Sequence, residues 1–461
     1  MPAPPKTLMV TISGVRGIFG AGLDAATIVR FAGAYGTWTR RRALAEGRRP
    51  LVVVGRDARV TGEVCAALVS ATLRSVGCDV LDAGLATTPT VEVGVVAENA
   101  AGGVILSASH NPAEWNALKL LNEKSEFLTP EQAAEVIALA NAGEAETVRY
   151  DALGGYEARD LLDEHIRRIL ALPFIDRDAI AARDFSVVVD GVNSVGGVAL
   201  PHLLGALGVR RVRCLHCEPT GLFAHDPEPL PENLTEIVAL VGETGADLGI
   251  VVDPDADRLA LVEDGGRYVS EELTQVAAAD FLWGVRPGPF VTNLSSSRAI
   301  DDVAARHGQT AHRSAVGEAN VVARMHAVGA TLGGEGNGGV ILPDLHHGRD
   351  ALVGVAMILQ HLAATGLKMS EWRASLPAYH IAKHKLGVAG LDAPALLARL
   401  AARYAAARVS TVDGVKVDLD EGWVHVRASN TEPILRIYAE AGTREAASAL
   451  AERFERELTE G

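Results

Sequence analysis

The sequence predicts a protein of the α/β class, with three similar mixed α/β domains and a smaller C-terminal α+β domain. Three observations carry this reading. The chain has 461 residues, more than a single core holds, since domains usually run to roughly 100–200 residues. One pattern recurs along it: an apolar, β-rich run, a loop of Gly, Asp and Asn, then a helix rich in Ala and Leu. The final stretch breaks that pattern. Composition agrees, because 48% of residues are apolar, 47 are glycine and 5% are aromatic, which supplies a core and excludes disordered and fibrous classes.

Taken in order, LVVVGRDARVTG (51–62) reads as a strand and loop feeding the helix EVCAALVSATLRSVG. GVILSASHNPAEWNALKLL (103–121) follows, an apolar run that empties into a polar knot and resumes around a single charge, Lys119. LGGYEARDLLDEHIRRILALP (153–173) reads as a polar helix ahead of a fresh βα unit, FSVVVDGVNSVGG (185–197) with VALPHLLGALGV. The last stretch reads as a helix (DAPALLARLAARYAAA), strands GVKVDL and GWVHVRA, a loop, the strand ILRIYAEA and the helix REAASALAERFEREL. The expected domains are 1–154, 155–254, 255–370 and 371–461.

Formal net charge is −15, with both signs interspersed and no Lys/Arg run, which excludes the electrostatic footprint of a nucleic-acid binder. An anionic substrate therefore needs a locally basic pocket. The start, MPAPPKTLMV, lacks the apolar region of a signal peptide, and no apolar run is long enough to span a bilayer. These features predict a cytoplasmic protein with no membrane partner. Of four cysteines, Cys214 and Cys217 form a C-x-x-C without a second pair to complete a zinc site, so reduced structural thiols are expected.

The strand LGIVVD runs into DPDADR, placing Asp253, Asp255 and Asp257 at alternate positions. Crowded carboxylates of this kind suit a hard divalent cation such as Mg²⁺. An EF-hand fails on Arg258 at its sixth position and Asp264 at its twelfth. A dehalogenase-like phosphatase also places D-x-D after a strand, yet Arg258 stands where that pattern has Gly-Thr. A solvated acidic turn is the bland alternative. Near the C-terminus, RASNTEPILR (427–436) gathers Arg427, Ser429, Asn430 and Thr431, whose donors could converge on a phosphate, and Arg436 brackets the loop. GGEGNGG (333–339) sets Glu335 and Asn337 between glycines, where a polyol could approach closely. SGVRG (13–17) offers Arg16 in a loop.

Ser109 beside His110 is not a hydrolytic dyad, because adjacent side chains on an extended chain point apart and no G-x-S-x-G elbow is present. A serine carrying phosphate beside a metal site, with Lys119 offsetting charge, fits better.

Together these loops resemble the α-D-phosphohexomutase superfamily of phosphoglucomutases, phosphomannomutases and phosphoglucosamine mutases, in order and over essentially the whole chain. SGVRG is similar to its N-terminal arginine loop, SASHNPAEWNALK to its phosphoserine loop, DPDADR to its metal loop, GEGNGG to its sugar-recognition loop and RASNTEP to its phosphate loop. VDGVNSVGG and HDPEPLPENL also look like family landmarks. The resemblance implies four domains around a central cleft, with a C-terminal lid hinged near residue 370. It implies transfer from phospho-Ser109 to a hexose monophosphate through a hexose 1,6-bisphosphate, which also acts as activator. Ser109, Asp253, Asp255 and Asp257 would hold Mg²⁺, and Lys119, Arg16, Arg258 and His110 would surround the transferring group. Glu335 and Asn337 would meet the sugar; Arg427, Ser429, Asn430 and Thr431 would grip the other phosphate. Two departures stand out: Gly339 and Glu318 replace histidines found in relatives, so His110, Lys119 and Arg16, with the loop residues His346, His347 and Arg349, remain as acid/base candidates. The pairing of GEGNGG with RASNTEP resembles an archaeal-type branch, which favours glucosamine phosphate as substrate over glucose or mannose phosphate.

Overall fold

The computed structural model describes residues 7–12, 14–388, 392–429 and 434–459. They form two compact units, Met1–Thr274 with Asn337–Ser370, and Gln275–Gly336 with Glu371–Gly461.

The first unit contains two mixed sheets. In one, the order is Met9–Thr11, Gly14–Ile18, Trp115–Leu121, Gly102–Leu106, Leu51–Arg56, Asp79–Leu85 and Tyr156–Ala158. The four strands from Gly102–Leu106 to Tyr156–Ala158 are mutually parallel, and Trp115–Leu121 runs against them. Both faces are covered, which is why the central strands read as unbroken apolar runs. Val52 and Val54 enter one core with Phe31, Tyr35 and Val69, while Val53 enters the other with Val91 and Val95. Local signals set the helix ends: Asp24 caps Ala25–Ala45 by accepting from the Thr27 N–H, and Thr129 with Gln132 forms a capping box on Pro130–Ala142.

The second sheet has the order Arg267–Val269, Leu259–Glu263, Leu248–Val252, Ser186–Asp190, Arg211–Leu215, with the last three parallel. Leu248–Val252 and Leu259–Glu263 are antiparallel neighbours, so residues 253–258 form the hairpin loop between them. Both chemical loops of this unit therefore leave the ends of buried strands.

In the second unit, Phe290–Asn293 lies between Ala311–Ser314 and Leu332–Glu335, all parallel. An antiparallel sheet runs His380–Gly387, Ile434–Ala441, Gly422–Ala428, Val415–Asp418, Arg408–Ser410, with helices Ala393–Arg403 and Arg444–Thr459. Val417, Val424, Ile437 and Phe454 centre its core.

The class is the one expected: three α/β domains and a smaller α+β domain. Two local expectations change. The 153–173 segment holds the short strand Tyr156–Ala158 before helix Leu162–Leu170, because Tyr156 pairs with Val80 on a free sheet edge. The C-terminal sheet gains His380–Gly387 and Arg408–Ser410, whose polar edge positions hide the strand pattern. No helix among the described residues is long and apolar enough to cross a membrane.

Candidate active site

Buried strand Gly102–Leu106 delivers the chain to Ser109, whose φ is +51°, the left-handed region that non-glycine residues rarely adopt. A buried polar scaffold holds it there. The Ser109 N–H donates to Ser107 Oγ at 2.9 Å, and Ser107 Oγ donates to Asp57 Oδ2 at 2.6 Å. Asp57 also pairs with Arg59 Nε at 3.0 Å. The Arg59 guanidinium donates in turn to the carbonyls of Ser109, Asn111, Pro112 and Trp115. One cation thus satisfies three carbonyls of the loop and that of Trp115, the first residue of the following strand. The conformation has a further effect: His110 Nδ1 lies 3.3 Å from Ser109 Oγ. The two side chains were expected to point apart, but that holds only for an extended backbone.

Ser109 Oγ donates to Asp253 Oδ2 at 2.6 Å. Asp253, Asp255 and Asp257 are buried, and each offers an oxygen within 4.8 Å of the others. Lys119, on the strand paired with Gly102–Leu106, reaches Asp255 Oδ2 at 2.5 Å and Asp257 Oδ2 at 3.4 Å. Thr88 Oγ1 also donates to Asp255, and Arg349 Nη2 donates to Asp257 Oδ2 at 2.8 Å. Arg16 Nη1 donates to Asn111 Oδ1 at 2.9 Å, and the Arg258 N–H donates to Asp253 Oδ1 at 3.2 Å. Asn337 Oδ1 accepts from the Gly339 N–H at 3.2 Å.

Burial, then the neighbouring Asp257 and Asp255 charges, push the Asp253 carboxyl well above the usual range. Asp255 is held below it: burial acts upward, but Lys119 and Thr88 outweigh that. Burial would lower Lys119, yet Asp255 and Asp257 hold its ammonium form above the ordinary lysine value. Burial, with Arg258 and Arg16, lowers His110 to about 2. Asp255 Oδ1 and Asp257 Oδ1 are buried without a hydrogen-bond partner. Hard oxygen donors, crowded and partly unsatisfied, fit a small divalent cation.

His346 and Arg349, offered from the sequence as acid/base candidates on a loop, are 3% and 9% exposed. His346 Nδ1 lies 3.1 Å from Glu92 Oε2 and its Nε2 3.3 Å from Asp350 Oδ2. Asp350 Oδ2 also meets His165 Nε2 at 2.9 Å, while its Oδ1 caps helix Ala351–Thr365.

In the second unit, Glu335 is buried at the end of its strand and accepts from Asn293 Nδ2 at 3.0 Å and the Gly317 N–H at 3.2 Å. Arg427 and Arg436 are direct cross-strand partners. Like charges so placed on paired strands repel, and a bound anion beside them would relieve that repulsion. Arg427 Nε is buried without a hydrogen-bond partner, and the Ser429 N–H donates to the Ile434 carbonyl. Asn430 and Thr431 lie outside the described residues.

Four family profiles match the chain in order: Phosphoglucomutase/phosphomannomutase, alpha/beta/alpha domain I over residues 8–147, domain II over 163–266, domain III over 270–379, and the C-terminal domain over 388–457. The chain belongs to the phosphoglucomutase/phosphomannomutase family. It is 38% identical to a phosphoglucomutase/phosphomannomutase of Thermococcus kodakarensis over 439 residues, 94% of each chain. It is 34% identical to a protein of Methanopyrus kandleri named as a phosphoglucosamine mutase, over 96% of each. A Thermus thermophilus structure described as a phosphomannomutase superposes with a TM-score of 0.83 at 28% identity, over 99% of each chain. A structure of the Aspergillus fumigatus N-acetylphosphoglucosamine mutase, in complex with GlcNAc-6P and magnesium, shares the fold with a TM-score of 0.61 at 16% identity, over 100% of this chain and 97% of that one. The chain is thus a hexose phosphate mutase, an intramolecular phosphotransferase.

Within this phosphoglucomutase/phosphomannomutase chain, Ser109, Lys119, Arg16, His110, Arg258 and the three aspartates all lie in the first unit, as does Asn337; Glu335, Arg427 and Ser429 lie in the second. Sequence reasoning assigned no role to Asp57, Arg59 or Thr88. GRDAR at the end of a buried strand was the available signal for the first two.

Proposed function

We propose that the chain interconverts a hexose 6-phosphate and a hexose 1-phosphate through phospho-Ser109 and a bisphosphorylated sugar. The observation that carries this reading is Ser109 Oγ, buried at a strained loop tip 2.6 Å from Asp253 Oδ2 and beside two more buried carboxylates. In the forward half-reaction the Ser109 Oγ–P bond breaks, a P–O bond to the free sugar hydroxyl forms, and the hydroxyl proton leaves to a base. The bisphosphate reorients and returns its other phosphoryl group to Ser109 Oγ, and the proton returns to the released oxygen. Little covalent chemistry is asked of the protein, which positions in-line oxygens and offsets charge on the equatorial ones.

Asp253, Asp255 and Asp257, with an oxygen of phospho-Ser109, would hold Mg²⁺. When bound, that ion supplies charge neutralisation for the transferring group and the leaving Ser109 oxygen. Lys119, fixed by Asp255 and Asp257, and Arg16 and Arg258 add positive charge. His110 hydrogen-bonds Ser109 Oγ and orients it. Glu335 and Asn337 are assigned to sugar hydroxyls, and Arg427, Ser429, Asn430 and Thr431 to the phosphate that is not transferred. Hexose 1,6-bisphosphate loads Ser109 as activator.

We assign glucosamine phosphate as the favoured substrate, on the GEGNGG and RASNTEP loops. The 38% identical relative supports a second reading, a bifunctional phosphomannomutase and phosphoglucomutase. Turnover of glucosamine-6-phosphate, glucose-1-phosphate and mannose-1-phosphate side by side separates them by kcat/KM. For the mechanism, intact mass should show one phosphate, lost together with activity in Ser109→Ala; full turnover by that variant overturns it.

A further inference from the structure

A second cluster of ligating groups lies in the first unit, built by residues to which no role has been given so far. Strand Ser186–Asp190 ends in buried Asp190, opposite Leu215 of the parallel strand Arg211–Leu215, so His216 emerges at the same sheet end. His225 joins from HDPEPLPENL. Asp190 Oδ2 lies 3.4 Å from His216 Nδ1 and 3.2 Å from His225 Nε2, and the two rings are 5.7 Å apart.

The outer ring nitrogens fix what the inner ones present. His225 Nδ1 lies 2.7 Å from the Asp226 carbonyl oxygen, which only accepts, so Nδ1 carries a proton. A neutral His225 then turns a bare Nε2 lone pair toward a carboxylate oxygen. His216 stands between two carboxylates, Asp190 at Nδ1 and Glu236 Oε2 at 3.4 Å from Nε2. No neutral tautomer of His216 donates to both carboxylates, and a neutral His225 donates nothing to Asp190, so the cluster calls for an added cation, either a proton or a metal ion. Charge-assisted N–H···O contacts run about 2.7–2.9 Å. Ligands at about 2.0–2.1 Å from a tetrahedral ion are instead separated from one another by about 3.3–3.4 Å. The observed 3.2 and 3.4 Å fit the second case. The outer partners, a carbonyl for His225 and a carboxylate for His216, are those that orient metal-bound imidazoles. Side chains 19% and 15% exposed leave an ion a way in.

We propose that Asp190, His216 and His225 bind a divalent transition ion, Zn²⁺ by preference, with water completing a tetrahedron. The donor set of two imidazoles and one carboxylate favours Zn²⁺ over the Mg²⁺ suited to the aspartate loop. The ion ties down the segment that carries Phe223, whose ring lies 5.0 Å from the Arg59 guanidinium that clamps the Ser109 loop.

Full-length protein saturated with Mg²⁺ is titrated with Co²⁺, whose visible absorption reports tetrahedral ligation, and then with Zn²⁺ in competition. The expected result is one Co²⁺ per chain at micromolar protein, displaced by Zn²⁺, lost in His216→Gln and in His225→Gln and retained in Asp255→Asn. Folded wild-type protein that gives no visible band overturns the proposal and leaves a pair of imidazolium–carboxylate contacts. So does a band that survives both histidine variants, or one lost in Asp255→Asn. Should a histidine variant not fold, the wild-type and Asp255→Asn titrations still decide.

Discussion

Gly339 and Arg349 compete for one volume: a Cβ on Gly339 would lie 2.3 Å from Arg349 Cδ and 2.7 Å from its Cγ. The Arg349 side chain fills the space beside Gly339 and from there reaches Asp257. The bare glycine is what admits the arginine at this place.

Gly339→Ala should therefore withdraw Arg349 from Asp257. We expect kcat/KM to fall about 10- to 100-fold, the range seen when a partner of a metal ligand is lost. Arg349→Ala should fall similarly, and the double variant no further, since both remove one contact. Additive losses in the steady-state kinetics would show that the two residues act separately.

Arg59→Met leaves Asp57 as an unpaired buried carboxylate and frees four carbonyls. Removing one partner of such a pair costs about 3–5 kcal/mol. Denaturant unfolding should show that loss, and kcat should drop with it because Ser109 no longer holds its conformation. A variant of wild-type stability would remove Arg59 from the scaffold.

Mg²⁺ should stabilise the protein by mass action, by about 2.7 kcal/mol at one hundred times its Kd. Asp253→Asn should abolish this increment while raising the thermal midpoint of the metal-free protein, because it removes a charge from a crowded trio. An undiminished Mg²⁺ shift in Asp253→Asn, followed by scanning calorimetry, would exclude the aspartate loop as the site.

Stability should also fall as pH rises above neutrality. Burial alone would lower His346, but Asp350 and Glu92 hold its pKa at about 10, against about 6.5 for an unfolded histidine. A raised folded-state pKa gives stability that is complete below about pH 6.5 and lost progressively up to about pH 10. Thermal midpoints across that window should slope downward in the wild type and flatten in His346→Gln. Parallel curves would reject the assignment.

Arg427→Ala should raise KM by about 10- to 100-fold, the loss of a hydrogen bond to a charged group, with a smaller change in kcat. Since it relieves the repulsion with Arg436, its thermal midpoint should stay level or rise. A purely kcat effect would place Arg427 at the chemistry rather than in phosphate binding.

How much of this was legible in the sequence depended on where each constraint is written. The three aspartates and Ser109 were visible because each group sits in one contiguous loop after a buried strand, and the α/β class followed from repeated strand–loop–helix units. Arg59 escaped notice because its partners, residues 109–115, are some fifty positions away and nothing local marks a four-carbonyl clamp. The burial of His346 and Arg349 was not legible because burial of a loop is a tertiary fact: Glu92 and Asp257 enclose them from other elements. The contact between Ser109 and His110 depended on a backbone angle no residue pattern specifies. The edge strands His380–Gly387 and Arg408–Ser410 carry mixed polar residues, so their pairing and not their periodicity defines them.

The left-handed backbone at Ser109 bears on which hydroxyl can serve there. Threonine offers the same oxygen, yet its Cβ branch is badly tolerated at positive φ. Drift from serine to threonine, harmless at many phosphorylated positions, is thus closed to this loop on stereochemical grounds, before reactivity enters.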